Sequence, residues 1–440
     1  MAQPDPREVV TTKALTVWLA AIAVYIVATL GRSSFGVAGV NAIERFEVDA
    51  SAIAVFTSVQ LGVYALSQIP MGLLIDKFGP RKMLVAGALV MAAGQITLGL
   101  TTSYWVAIAA RVFIGVGDAT GFLSIMRILP YWFPLKKTPL FSQLTSAMGQ
   151  LGQFLSAVPF LWLLNVQGWS VAFVSLGAIG ILVSLAALIA VQDSPEGAAP
   201  ESASKPETQR HSLRQSLAIV FTSPVCWMAF FVHWMSMVYM FVFGLLWGMP
   251  LMTLGMGIEP STAGMVLVIN SIVSVIAGPF MGIISSRAGS QRVPIALVFS
   301  LGQAVAWLIF LSSPDPRGLV AVIVLNVIFA LLTPAGNYGF DAVRENLPNN
   351  VVATGTGMSN MGGFTASMIA AQGVGFLLDY SSNGASYEWS DFRVAWLAVF
   401  AVWAFGFAGA LVARSQFKNS TRGVVVVNEQ DPAGTSDTTK

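Results

Sequence analysis

Long apolar runs alternate with short polar breaks from one end of the chain to the other. The apolar stretches fall at roughly 14–40, 51–74, 83–102, 104–129, 139–164, 170–191, 223–250, 261–284, 293–312, 318–340, 352–378 and 393–413, twelve in all. A helix needs about 20 apolar residues to cross a bilayer. Strands of a membrane barrel are far shorter and alternate in polarity, so the pattern excludes a β-barrel. It predicts an all-α membrane protein with twelve transmembrane helices.

Composition agrees. The 440 residues are 55% hydrophobic and 10% charged, against about 25% charged in soluble domains. The first run follows a polar segment with no small-residue cleavage site, which favours a retained helix over a signal peptide. The long polar interior segment, DSPEGAAPESASKPETQRHS, follows the sixth run and has the composition of a flexible tether. The expected layout is an N-terminal segment 1–13, a six-helix half 14–192, a linker 193–222, a second half 223–414 and a disordered tail 415–440.

Lys and Arg give the orientation, because cytoplasmic loops collect them. With the N terminus inside, the inner loops, linker and termini hold seventeen, from Arg7 and Lys13 to Arg422 and Lys440. The outer side holds three, Arg45, Arg317 and Arg393. Both termini are thus expected in the cytoplasm. The net charge of +2 gives no reason to expect a nucleic-acid partner, and the single cysteine, Cys226, permits neither a disulfide nor a thiol metal site. No metal or cofactor is expected.

A constant offset of 210 residues runs through the chain. It pairs Gly72 with Gly282, Gly79 with Gly289, Asp49 with Glu259, Ser51 with Ser261, and the stretch Met148–Phe154 with Met358–Phe364. These landmarks imply two pseudo-symmetric six-helix halves, an arrangement in which transporters bind solute between the halves near the membrane midplane.

The stretch GLLIDKFGPRK, residues 72–82, resembles the signature loop of the major facilitator superfamily, through Gly72, Leu74, Asp76, Lys77, Gly79, Arg81 and Lys82. The second copy, GIISSRAGSQR, has Ser286 where the acid belongs. Arg111, Gly115 and Gly117 in the fourth span resemble a second motif of that family. The resemblance covers nearly the whole chain and is to the bacterial type. It implies a secondary transporter in the plasma membrane (the bacterial inner membrane), working by alternating access and functional as a monomer. In the loop, Gly72 allows close helix approach, and Gly79 and Pro80 make the turn. Asp76 is placed to cap a helix or to pair with a base of the other half, so that Gly72, Asp76, Lys77, Gly79, Arg81 and Lys82 form a gating loop. Arg81 and Lys82 are expected at the headgroup level, where a plain positive-inside anchor is the simpler role.

Ionisable groups inside spans are costly and mark candidate function. They are Arg32 in the first span, Arg111, Asp118 and Arg127 in the fourth, and His233 in the seventh, with Asp341 and Arg344 near the inner end of the tenth. Arg32, beside Ser33 and Ser34, is a candidate anion site or an outward-snorkelling anchor. Asp118, the acid deep in a span, can cycle a proton or serve as a structural hydrogen-bond acceptor. Arg111, seven residues before it, shares its helical face, and His233 is either a relay or packing. Arg127 reaches either ligand or headgroup. Gln143, Gln150, Gln153, Asn270, Asn337 and Asn360 are uncharged candidates for lining a cavity.

The expected substrate contacts are therefore Arg32, Arg127, Gln150, Asn270, Asn337 and Asn360, and the expected proton-coupling set is Asp118, Arg111 and His233. Organic-phosphate carriers of this superfamily carry a second arginine in the seventh span, where this chain has Phe241 and Val242. The glycine–proline motif of drug–proton antiporters is replaced by GQLGQFLSAVPF. These departures favour a small organic anion or polar metabolite moved with protons. A proton-driven exporter of drugs or lipids and a transporter-like metabolite sensor are the alternatives. No constellation of catalytic groups suggests an enzyme.

Overall fold

A computed structural model of the chain describes residues 8–48, 50–195, 212–383 and 385–429. Asp49, the side chain of Ser51, the tether 196–211 with His211, and residues 1–7, 384 and 430–440 lie outside the described residues.

The described residues form helices joined by short turns, without a strand. Helix α1 is Thr12–Val37, α2 Ala50–Phe78, α3 Pro80–Leu100 and α4 Tyr104–Trp132. Helix α5 (138–167) opens as Thr138–Leu155 and passes through a π-helical turn, Ser156–Phe160. Gly168, with φ of 80°, separates it from α6 (169–190). Helix α7 (224–255) opens as Pro224–Phe241 and ends in two π-helical turns, Val242–Trp247 and Leu251–Gly255. Then follow α8 Pro260–Ala288, α9 Arg292–Leu311, α10 Leu319–Asn346, α11 Val352–Ser382 and α12 Trp389–Glu429.

Ten helical segments are long and apolar enough to cross a membrane. Two of them, Thr138–Ala190 and Pro260–Leu311, hold 53 and 52 residues. At 1.5 Å per residue each would reach roughly 80 Å, well beyond a hydrocarbon core of about 30 Å. Each bends back at a positive-φ glycine, Gly168 or Gly289, and so crosses twice, giving twelve crossings. The outer faces carry exposed Leu66, Trp105, Ile189, Val320 and Phe376, which would be unfavourable in water and suit lipid chains. This is a multi-pass membrane protein.

Helix α12 continues to Glu429. Leu213–Thr222, ahead of α7, is a helix whose start Ser212 and Gln215 cap reciprocally.

The 210-residue offset is visible in the packing. A Cβ at Gly152 would meet the Ile26 carbonyl of α1 at 2.5 Å, and one at Gly362 the Phe230 carbonyl of α7 at 2.3 Å. Thus α5 lies close on α1 as α11 lies close on α7. Between the halves, Gly72 lets α2 approach α11, where a Cβ would stand 2.6 Å from Thr354 Cα. Gly282 lets α8 approach α5, where a Cβ would stand 2.7 Å from Leu140 Cα. Both crossings lie at the bundle end that carries the Gly79 and Gly289 turns, hereafter the loop end.

Candidate functional site

Four helices of each half frame the axis between them. A cavity of about 420 Å³ lies there, lined from α1, α2, α4 and α5 on one side and α7, α8, α10 and α11 on the other. Its lining runs from Phe122 and Phe340 at mid-bundle to Gly36, Val37, Ser156 and Leu246 at the end opposite the loops. The π-helical turns of α5 and α7 therefore sit at its mouth. Its floor is a ring contact between the halves, Phe122 against Phe340 with centroids 5.4 Å apart. Beside that floor, Asn337 Nδ2 donates to Gln143 Oε1 at 3.0 Å and Ser146 Oγ at 2.9 Å, and Gln143 Nε2 donates to the Pro334 carbonyl at 2.8 Å.

Arg32 lines this cavity and is paired. Its Nε lies 3.3 Å from Asp118 Oδ2. The guanidinium also lies over the Tyr64 ring, 4.8 Å from the centroid, and Nη2 is 3.4 Å from Thr29 Oγ1. The Asp118 side chain is fully buried, and neither of its oxygens accepts a hydrogen bond among the described residues. Its close partner is the Arg32 guanidinium. Arg111 lies away from the cavity lining. Its guanidinium lies over Phe35 at 4.8 Å, and its Nε and Nη1 have no hydrogen-bond partner among the described residues.

Of the expected contacts, Arg32, Gln150, Asn337, Asn360 and His233 do line the cavity. His233 sits against Phe340 with centroids 4.9 Å apart, and its Nδ1 has no hydrogen-bond partner among the described residues. Two expected contacts do not line it. Asn270 turns into its own half, where Nδ2 is 3.4 Å from the Asn326 carbonyl; α8 presents Ser274 and Gly278 to the cavity instead. Arg127 points to the loop end, because it lies more than two turns beyond Asp118 along α4, and there its Nε is 3.4 Å from Asp76 Oδ1.

Asp76 is the hub of that end. It accepts from the Ala353 and Thr354 amides at 3.1 and 2.8 Å and from Thr354 Oγ1 at 2.7 Å. A carboxylate of one half thus caps the first turn of α11 in the other, where free amides and the helix dipole favour negative charge. The turn at Gly79 is fastened from below. The Arg81 amide donates to Asp193 Oδ1 at 2.7 Å, and the Arg81 guanidinium donates to the Leu188 carbonyl. Arg81 thus clasps the end of α6. Lys82 is exposed, and Lys77 lies over Phe78 at 5.1 Å.

The second half lacks the equivalent latch. Asp341 receives Ser285 Oγ at 2.5 Å and pairs with Arg344 at 2.7 Å, all inside that half. Sequence reasoning passed over Tyr64, Gln68 and Asp193. Asn360 Nδ2 donates across the halves to Tyr64 Oη at 3.2 Å and Gln68 Oε1 at 2.8 Å. The available signal was a tyrosine and a glutamine one helical turn apart in an apolar span.

Two symmetric halves around a central cavity, latched at one end, define a membrane carrier. The chain belongs to the Major Facilitator Superfamily, whose profile matches residues 21–371; its members transport solutes and are not enzymes. The chain is similar to the probable sulfoacetate transporter SauU of Cupriavidus necator, 24% identical over 82% of this chain and 86% of that one. It is similar to the probable galactarate/D-glucarate transporter GarP of Escherichia coli, 22% identical over 80% of this chain and 86% of that one. The solved fucose:proton symporter FucP of Escherichia coli shares the fold, with a TM-score of 0.65, 14% identity, and coverage of 91% of this chain and 99% of that one.

Proposed function

We propose that the protein carries a small organic anion across the plasma membrane by alternating access, together with protons. The Arg32–Asp118 pair in the cavity wall carries this reading. A guanidinium at a cavity edge can take a carboxylate or sulfonate by charge-assisted hydrogen bonds. An anion that engages Arg32 competes with Asp118 for it. Asp118, buried and without hydrogen bonds, then carries an uncompensated charge, which is relieved by taking a proton. Anion and proton load together, and the loaded cavity gains no net charge. The anionic substrates named for the two relatives support the class.

The distribution of Lys and Arg puts the loop end in the cytoplasm, so the cavity opens to the outside and Asp76 holds the inner side shut. Opening that side breaks the Asp76 cap on α11, the step at which the loop acts as a gate. His233 faces the same cavity and is a second candidate for the proton.

The test is binding of sulfoacetate and of an aliphatic monocarboxylate to wild type, Arg32→Ala and Arg32→Lys. Arg32→Ala should lose roughly ten- to a hundred-fold in affinity, the equivalent of about 1.5–3 kcal/mol for a charge-assisted contact. Arg32→Lys should recover part of it, because Lys keeps the charge without the planar fork. Undiminished anion binding by Arg32→Ala would sink the reading.

A further inference from the structure

The two sides of the cavity differ in kind. The side formed by α1 and α5 presents Arg32, Thr29, Ser33, Gln150 and Gln153. The opposite side presents Met237, Met240, Phe241, Leu246, Phe340 and Phe364. Among the described lining residues, Arg32 is the only one with a permanent charge.

The amide nitrogens on the apolar side are already engaged. Both N–H groups of an amide nitrogen can each make one hydrogen bond. Asn337 Nδ2 already serves Gln143 and Ser146, and Asn360 Nδ2 already serves Tyr64 and Gln68. Thr333 Oγ1 donates to the Phe329 carbonyl at 2.6 Å. His233 of α7 and Ser274 of α8 are the further polar side chains of that side. The rest is soft. Phe241 lies on Phe364 with ring centroids 5.0 Å apart, and thioethers beside aromatic rings adapt to apolar and aromatic ligands.

We infer that the substrate is a monoanion whose remaining bulk is apolar or aromatic, held with its acid group at Arg32 and its body against the wall of α7 and α11. This rests on the anion reading above and narrows it. A second carboxylate at the far end would be stripped of water against methionine and phenylalanine side chains, with no cation to meet it. A chain of hydroxyls would lose its water hydrogen bonds against the methionine and phenylalanine side chains of that wall. The cavity therefore selects against the doubly charged sulfoacetate and galactarate that the relatives' names give. At about 420 Å³ it lies toward the small end of the about 300–1,000 Å³ typical of small-molecule sites, which suits one ring or a short alkyl chain.

The experiment is equilibrium binding at pH 7 to the purified full-length protein. The probes are phenylacetate and hexanoate, against adipate (the diacid of equal length), gluconate, galactarate and sulfoacetate. Phenylacetate and hexanoate should bind at least ten-fold tighter than any of the others. Phe241→Arg puts a cation on the apolar wall and should shift the adipate-to-hexanoate preference ten-fold or more toward adipate. If that variant does not fold, Met240→Lys provides the same measurement. Adipate, gluconate, galactarate or sulfoacetate binding wild type as tightly as hexanoate would overturn the inference and leave the anion reading standing. A folded cationic variant with an unchanged preference would also overturn it. If no probe binds wild type more tightly than Arg32→Ala, the anion reading itself fails and takes the inference with it.

Discussion

Asp118 lies in a position where its charge is costly. Its side chain is fully buried, and among the described residues it accepts no hydrogen bond and has Arg32 at 3.3 Å as its close partner. Removing one partner of a buried pair leaves the other uncompensated, which is expensive. On the proposed mechanism, a proton replaces Arg32 as the partner of Asp118 when substrate engages the guanidinium. Asp118→Asn keeps the shape but cannot cycle a proton. That variant is expected to lose accumulation driven by a pH gradient while retaining substrate exchange across proteoliposomes at equal pH. Accumulation at the wild-type level would place the proton elsewhere, with His233 and Asp341 next. Arg111 remains a buried cation over Phe35, one turn pair away on the same helix. It lies in the same half of the protein as Asp118 and so contributes to the field in which that carboxylate ionises.

At the level of elements, the two helix crossings at the loop end are built alike and loaded differently. Gly72 brings α2 onto the start of α11, and Gly282 brings α8 onto the start of α5. Only the first carries a charge across: Asp76 caps α11 and pairs with Arg127. The acid of the second half, Asp341, is consumed locally by Ser285 and Arg344. One crossing is thus an electrostatic latch and the other a close apolar contact. Two substitutions should open the latch. Gly72→Ala inserts a methyl group 2.6 Å from Thr354 Cα, on backbone that cannot step aside. Asp76→Asn removes the charge that favours the helix terminus, worth about 1 kcal/mol or roughly a five-fold shift in population. Spin labels at Lys82 and Arg287, exposed on the two halves, should move apart in both variants. Asp76→Asn should slow transport far more than it weakens binding. An unchanged label distance, or equal losses of binding and transport, would remove Asp76 from gating.

The whole molecule has a sidedness that the halves share. Seventeen Lys and Arg stand on the side assigned to the cytoplasm and three on the other. Fluorescent-protein fusions after Lys440 should therefore fluoresce, and alkaline phosphatase at the same place should be inactive. Phosphatase inserted at Gly318, in the break between α9 and α10, should be active. The opposite pattern would invert the orientation and make the open cavity face the cytoplasm. The same geometry explains how local events can move whole halves. Asn360, at the cavity wall, bonds Tyr64 and Gln68 of the other half, and Tyr64 carries the Arg32 guanidinium on its ring. On the proposed mechanism, substrate at Arg32 acts on the α2–α11 contact whose far end is the Asp76 cap.

The sequence by itself determined what depends on local composition. Run length and hydropathy fix the number of crossings, because a helix in lipid must satisfy its own backbone and cover the bilayer thickness. The 210-residue offset marks the halves, since the residues that let helices touch recur at the same places. The cost of charge in a membrane singled out Arg32, Asp118 and Arg127 before any contact was known. Partners were another matter. Arg32 meets Asp118, Arg127 meets Asp76, and Asn270 turns away from the cavity. Which face of a nearly uniformly apolar helix points inward is set by its rotation against neighbours far away in the chain, and an apolar pattern on all sides carries no record of that rotation. Only the packed tertiary structure decided it.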